Sequence, residues 1–242
     1  MNGSRPILAG LLALAGLVVL SGPTLAQSRG TVSANGRRSS AANVLGALNL
    51  LPENMREPVR QVLTKPTITA QAPPEEFPGR PDVYAWLLDH PDRASIAWQR
   101  LGVQAVSITD LGEGRWAWSD GQGSHLTWQT VWRSGEGRIW YAEGQAKAGA
   151  MLPMVPVRAV AILRHSREGE ETGSAVIRQQ VDVYLQTDSR AASLVTRMIG
   201  PAAPRMAEQG AEQLLLFFSL LCRHLDRHPE QTEQLLAPPR PR

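Results

Sequence analysis

The sequence predicts an α+β domain in which a curved antiparallel sheet of six to seven strands packs on one long C-terminal helix. Three observations carry this reading: the hydrophobic period changes from 3.6 to 2 at Val103, short turn clusters separate the segments that follow, and an amphipathic stretch runs from about Pro204 to Asp226. Links this short join antiparallel neighbours, because a parallel pair needs a crossover of about a dozen residues or more. A sheet with one apolar face and a helix with one apolar stripe must bury each other.

The chain begins with an expected export signal. Arg5 supplies a positive start, Ile7 to Leu20 is apolar apart from two glycines, and Thr24-Leu25-Ala26 offers a small-x-small cleavage site before Gln27. The apolar run is shorter than the ~20 residues that span a bilayer. Residues 1–26 therefore read as a cleavable signal peptide, with an uncleaved anchor as the competing reading, and the mature chain is expected in the periplasm or outside the cell. Residues 27–64 read as a flexible arm with short helices, in which Pro52 and Pro58 interrupt the apolar pattern.

The domain is expected over residues 65–230. Thr67–Ala72 alternates as a strand, and the four prolines between Pro73 and Pro81 are expected to break any regular element. Val83, Trp86 and Leu87 share one helix face; after His90-Pro91, Asp92 is placed to cap a second helix, which Gly102 closes. Six strands follow at 103–109, 115–119, 125–133, 138–147, 155–165 and 174–187. In the last, Ala175, Ile177, Val181, Val183 and Leu185 face one way, while Arg178, Gln180, Asp182 and Gln186 face the other, giving one packed side and one wet side. Asp188 or Ser189 is expected to cap a helix through Ile199, the long helix follows, and residues 231–242 form a tail.

Composition excludes several functions. The chain is 43% hydrophobic and 19% charged, which suits a globular domain. Its net charge is only +3, with arginines interleaved among acids, so no nucleic-acid surface is expected. A single cysteine, Cys222, rules out an internal disulfide and cysteine-based metal sites, and its apolar neighbours make it a buried hydrophobe. His224 and His228 are four apart, yet they lack a third ligand, and Pro229 frays their turn; no metal and no cofactor is expected. Ser124 lies in a strand–strand turn with the wrong flanks for a nucleophile elbow, so no catalytic residue is assigned.

The order of elements resembles the helix-grip fold of the START-domain and polyketide-cyclase (SRPBCC) superfamily. The resemblance is carried by Thr67–Ala72 with Pro73-Pro74, the helices at 83–88 and 92–101, the meander 103–187 and the helix from 189 to about 226. It implies a cavity between sheet and last helix that holds a lipid or other apolar molecule. The long proline-rich link at 73–81 departs from the family pattern. The candidate cavity walls are Trp118, Trp128, Trp132, Tyr141, Met151, Met154, Arg158, Leu215 and Phe218: rigid aromatic surfaces, a flexible methionine loop as lid, and an arginine for a polar head group. Trp128 and Trp132 share strand parity and are expected on one face. The functional expectation is a non-catalytic carrier or sensor of a lipid or apolar small molecule, with peripheral membrane contact compatible with it. A cyclase- or hydrolase-like enzyme and a ligand-free envelope module stand as the alternatives.

Overall fold

In the computed structural model, which describes residues 34–121, 123–147, 154–169, 173–188 and 202–238, one antiparallel sheet of eight strands packs against a long terminal helix. The strands are β1 (Ile68–Gln71), β2 (Glu75–Gly79), β3 (Ile108–Gly112), β4 (Arg115–Ser119), β5 (His125–Ser134), β6 (Gly137–Lys147), β7 (Met154–Glu168) and β8 (Ala175–Thr187). Their order across the sheet is β1-β8-β7-β6-β5-β4-β3, and β2 also pairs with β8. The helices are α1 (Ala34–Gly46), α2 (Glu53–Thr64), α3 (Pro81–Asp89), α4 (Pro91–Arg100), α5 (Ala202–Arg227) and α6 (Thr232–Leu236). The expected signal peptide, Met151 and the helix expected from 189 to 199 fall outside the described residues.

The proline-rich link is the first correction. Glu75–Gly79 is a strand that follows β1 along the same edge of β8, with Gln71 opposite Asp182 and Glu75 opposite Gln179. Pro78 is tolerated because an edge strand has one side with no ladder to donate to. Seven strand positions thus become eight strands, because Pro73-Pro74 splits the edge strand in two. The next corrections are local. The strand expected from Val103 begins at Ile108, because residues 103–107 are tied to α4: Val103 N–H donates to the Trp98 carbonyl at 3.0 Å, Ser95 Oγ donates to the Val106 carbonyl, and Gln99 Nε2 donates to the Ala105 carbonyl at 3.2 Å. Asp92 is not a cap. His90 occupies the cap position with no side-chain bond to the helix it opens, and Asp92 pairs with Arg93 inside the first turn at 3.2 Å. Gly102 does adopt the left-handed φ of 78° that ends a helix.

The inner core lies between the sheet and α5. Ala159, Ala161 and Leu163 of β7, and Ile177, Val181 and Val183 of β8, meet Leu214, Leu215, Phe217, Phe218 and Leu221. The outer face is wet only in part, around residues such as Glu143, Arg158 and Arg178. Val44, Leu51, Met55, Val59, Val62 and Leu63 of the N-terminal segment pack on Val131, Ile139, Tyr141, Val160, Ile162 and Tyr184. Residues 34–64 therefore form a layer on the sheet, and β7 is buried on both sides, as its run of five buried residues 159–163 requires. Pro58 sits inside α2 without breaking it, since burial of Met55, Val59, Val62 and Leu63 outweighs one lost hydrogen bond. At about 1.5–3 kcal/mol per buried apolar side chain, that layer contributes on the order of 10 kcal/mol before the entropy of ordering it.

Candidate functional site

Three tryptophans line the inner face on successive strands. Trp116 of β4 lies opposite Trp128 of β5, their ring centroids 6.0 Å apart. Trp140 of β6 stacks on Phe218 of α5 at 6.2 Å. Trp98 reaches the same layer from α4 and donates its indole N–H to the Phe217 carbonyl at 3.0 Å. Indoles suit such a position because they bury a large rigid surface and carry one donor that must be matched.

Behind this wall runs a buried polar chain. The Tyr84 O–H donates to Gln179 Oε1; Gln179 Nε2 donates to Glu75 Oε2 at 2.7 Å and to the Leu215 carbonyl at 3.2 Å; Ser219 Oγ donates to Glu75 Oε1 at 2.9 Å. Arg138, almost wholly buried, forms a two-pronged bond to Asp89 at 2.8 and 3.0 Å. His165 stands edge-on to Tyr84 at 5.3 Å. Burial, reinforced by the Arg138 charge and opposed by Asp89, pulls its imidazole down to about 4. Burial also raises the Tyr84 phenol well above its usual range, helped by the Cys222 and Glu75 charges.

Three buried polar atoms near this chain and wall have no protein partner: Trp140 Nε1, Thr130 Oγ1 and His165 Nε2. Thr130 and Trp140 are direct cross-strand neighbours, so both orphan atoms come from one opposed pair of β5 and β6. Leaving such groups unbonded costs about 1–3 kcal/mol each, so an ordered water or another guest is needed to satisfy them. A mismatch in strand length opens the surface beside Trp116 and Thr130. β5 continues to Ser134 while β4 begins at Arg115, and the Thr130 N–H meets the Gly114 carbonyl at 3.2 Å, the last contact of that ladder. Beyond it opens a notch of about 630 Å³ whose walls include Asp89, Gly114, Trp116, Thr130, Trp132 and Leu51.

The structure divides the candidate wall residues between the faces. Trp118, Trp128, Leu215 and Phe218 belong to the inner side, Trp118 packing with Leu126 at one end and Trp128 bridging to the main cluster. Trp132, Tyr141 and Arg158 belong to the outer side. A bulge between Thr130 and Trp132 inserts one residue into β5, so Trp132 pairs with Ile139 and turns away from Trp128. Tyr141 donates to Glu143 Oε2 at 3.0 Å, and burial with that carboxylate pushes its phenol up to about 12. Arg158 is exposed and reaches Gln61 Oε1 of α2 at 3.4 Å. Met154 is 37% exposed at the end of β7. Tyr84, Gln179, Thr130 and Trp140 were not among the sequence candidates; the signal for Gln179 was a polar residue on the apolar parity of β8. Among the described residues no group of three His, Cys, Asp or Glu side chains is placed to hold a metal.

No family model and no curated protein matches the sequence. Solved structures similar to this chain include a conserved protein from Geobacillus kaustophilus, at 11% identity and a TM-score of 0.42, covering 65% of this chain and 95% of that one. Truncated norcoclaurine synthase from Thalictrum flavum aligns at 15% identity and a TM-score of 0.31, covering 61% and 94%. The di-domain ARO/CYC protein BexL aligns at 17% identity and a TM-score of 0.30, covering 86% and 61%. The helix-grip architecture of this chain rests on its own strand order and on α5: a curved antiparallel sheet closed over a long C-terminal helix.

Proposed function

We propose that the chain is an exported binding protein for an apolar small molecule with one hydrogen-bonding group, held against the inner face of the sheet without chemical change. The observation that carries this is two buried, partnerless polar atoms, Trp140 Nε1 and Thr130 Oγ1, on directly opposed residues of β6 and β5 within a tryptophan wall. Desolvating the apolar body of such a ligand would supply about 25 cal/mol per Å², and the indole N–H and hydroxyl would orient its polar end. A lipid is one member of this class. Residues 1–26 would direct the chain to the periplasm or beyond and then be removed.

A cyclase- or hydrolase-like enzyme is the second reading, favoured by His165 beside Tyr84 and the Asp89–Arg138 pair. The protonation states weigh against it: an imidazole near 4 is a weak base at neutral pH, and a phenol raised above its usual range is a poor acid. Native mass spectrometry of the mature chain, followed by extraction, tests the proposal. A near-stoichiometric adduct that is recovered unaltered supports a carrier. A mass that stays unliganded after incubation with envelope lipids contradicts it.

A further inference from the structure

The outer face of the sheet holds a second compartment, on the opposite side of β6 and β7 from the tryptophan wall. Its floor is Ile139 and Ile162, its side is Trp132, and its roof is Val44, Leu50 and Leu51 from α1 and the turn after it. The volume is about 280 Å³, at the small end of ligand pockets and far above the voids of a packed interior. The bulge at Thr130 creates it by turning the Trp132 indole under the N-terminal layer, where Trp132 remains partly exposed.

The polar end of this cavity carries little free charge. Arg164 Nη2 donates to Asp182 Oδ2 at 2.7 Å, and Ser40 Oγ donates to the same carboxylate oxygen at 2.6 Å, so that cation and anion hold each other. Glu136 lies at the exposed rim, where solvent screens it and a cationic guest would gain little. An anion would meet that carboxylate and an arginine already engaged. What remains on the lining is neutral hydrogen-bonding capacity, the exposed Asn43 amide.

We infer that this outer cavity is a binding site for a compact neutral amphiphile, an apolar body of roughly eight to ten heavy atoms ending in a hydroxyl or amide. The outer cavity shares Leu50, Leu51 and Trp132 with the notch at the end of β4, but its floor, Ile139 and Ile162, lies on the face opposite the tryptophan wall. It is tested with 1-octanol as probe and octanoate as its charged counterpart, by ligand-observed NMR and the emission of Trp132, assigned with Trp132→Phe. Saturable octanol binding is expected, at least tenfold tighter than octanoate. It should be lost at least tenfold in Ala47→Phe, which fills the cavity from a partly exposed position. Thermal melts establish that the variant is folded. Absence of saturable binding by the wild-type protein, binding that survives Ala47→Phe, or equal affinity for octanoate overturns the assignment.

Discussion

Tyr84 and Gln179 hydrogen-bond to each other in the centre of the sheet–helix interface, each almost completely buried. Gln179 stands on the apolar parity of β8, between Ile177 and Val181, where a hydrophobe would be ordinary. Its amide is fully used: the oxygen accepts from Tyr84, and the nitrogen donates to Glu75 and to the Leu215 carbonyl of α5. The pair therefore ties α3, β2, β8 and α5 together at one point. Tyr84→Phe should cost about 1–3 kcal/mol, and Gln179→Met more, because it also strands Glu75 and a helix carbonyl. In a double-mutant cycle by urea unfolding, the combined loss should fall short of the sum by at least about 0.5 kcal/mol.

Stability should fall as pH drops from 6.5 toward 4. The folded His165 imidazole titrates near 4, drawn down chiefly by burial, against an ordinary 6.5. Between those values the unfolded chain binds a proton that the folded chain does not, so His165 contributes stability above 6.5 that is lost as pH falls; below about 4 both states are protonated and the slope ends. Discounted for the ring's partial exposure, the effect is about 2 kcal/mol. The check is the difference between urea melts at pH 7.5 and 4.5, which His165→Phe should reduce by that amount.

Gly79 meets Cys222 across the sheet–helix seam. A Cβ at Gly79 would lie 2.8 Å from Cys222 Sγ and 3.3 Å from the Phe77 ring, all in buried surroundings. Gly79→Ala should cost about 1–3 kcal/mol. Gly46→Ala at the end of α1, with nothing within 4 Å, should be neutral or stabilising. The thiol is itself buried and pushed up to about 12. Iodoacetamide should leave it unmodified in the native protein at pH 8 and alkylate it fully in guanidinium.

The N-terminal layer should behave as part of the core. Val59 and Val62 are completely inaccessible against the outer face. Val62→Asp buries a carboxylate with no partner and should destabilise by about 4 kcal/mol or more. Dye binding by the exposed outer face should rise with it. Retained stability would show that residues 34–64 are an appendage.

The meander, the long helix and the turn at 112–114 were legible because period and glycine placement are local signals. What escaped the sequence depended on distant partners. Glu75–Gly79 forms a strand only because β8 offers it an edge, and the four prolines at 73, 74, 78 and 81 argued against that. Trp132 shares parity with Trp128 on paper, and only the extra residue at the bulge sends it to the other face. Asp182 reads as a solvent-facing polar residue of β8, yet it is buried because Ser40, 142 positions away, comes to rest on it. For the site, Trp128 is the one candidate among the three tryptophans Trp116, Trp128 and Trp140 of the inner wall, and the polar atoms were not legible, since whether Trp140 or Thr130 finds a partner depends on every neighbouring strand.

The most direct test of an inner-face ligand is the indole N–H signal of Trp140, assigned in a ¹H–¹⁵N spectrum by its absence in Trp140→Phe. Ligand recovered by extraction, or an envelope lipid fraction, is titrated into the delipidated protein. A downfield shift of the Trp140 signal is predicted as the N–H gains an acceptor, while the Trp98 signal, already bonded to the Phe217 carbonyl, stays in place. A Trp140 signal that does not move while ligand binds would contradict the account.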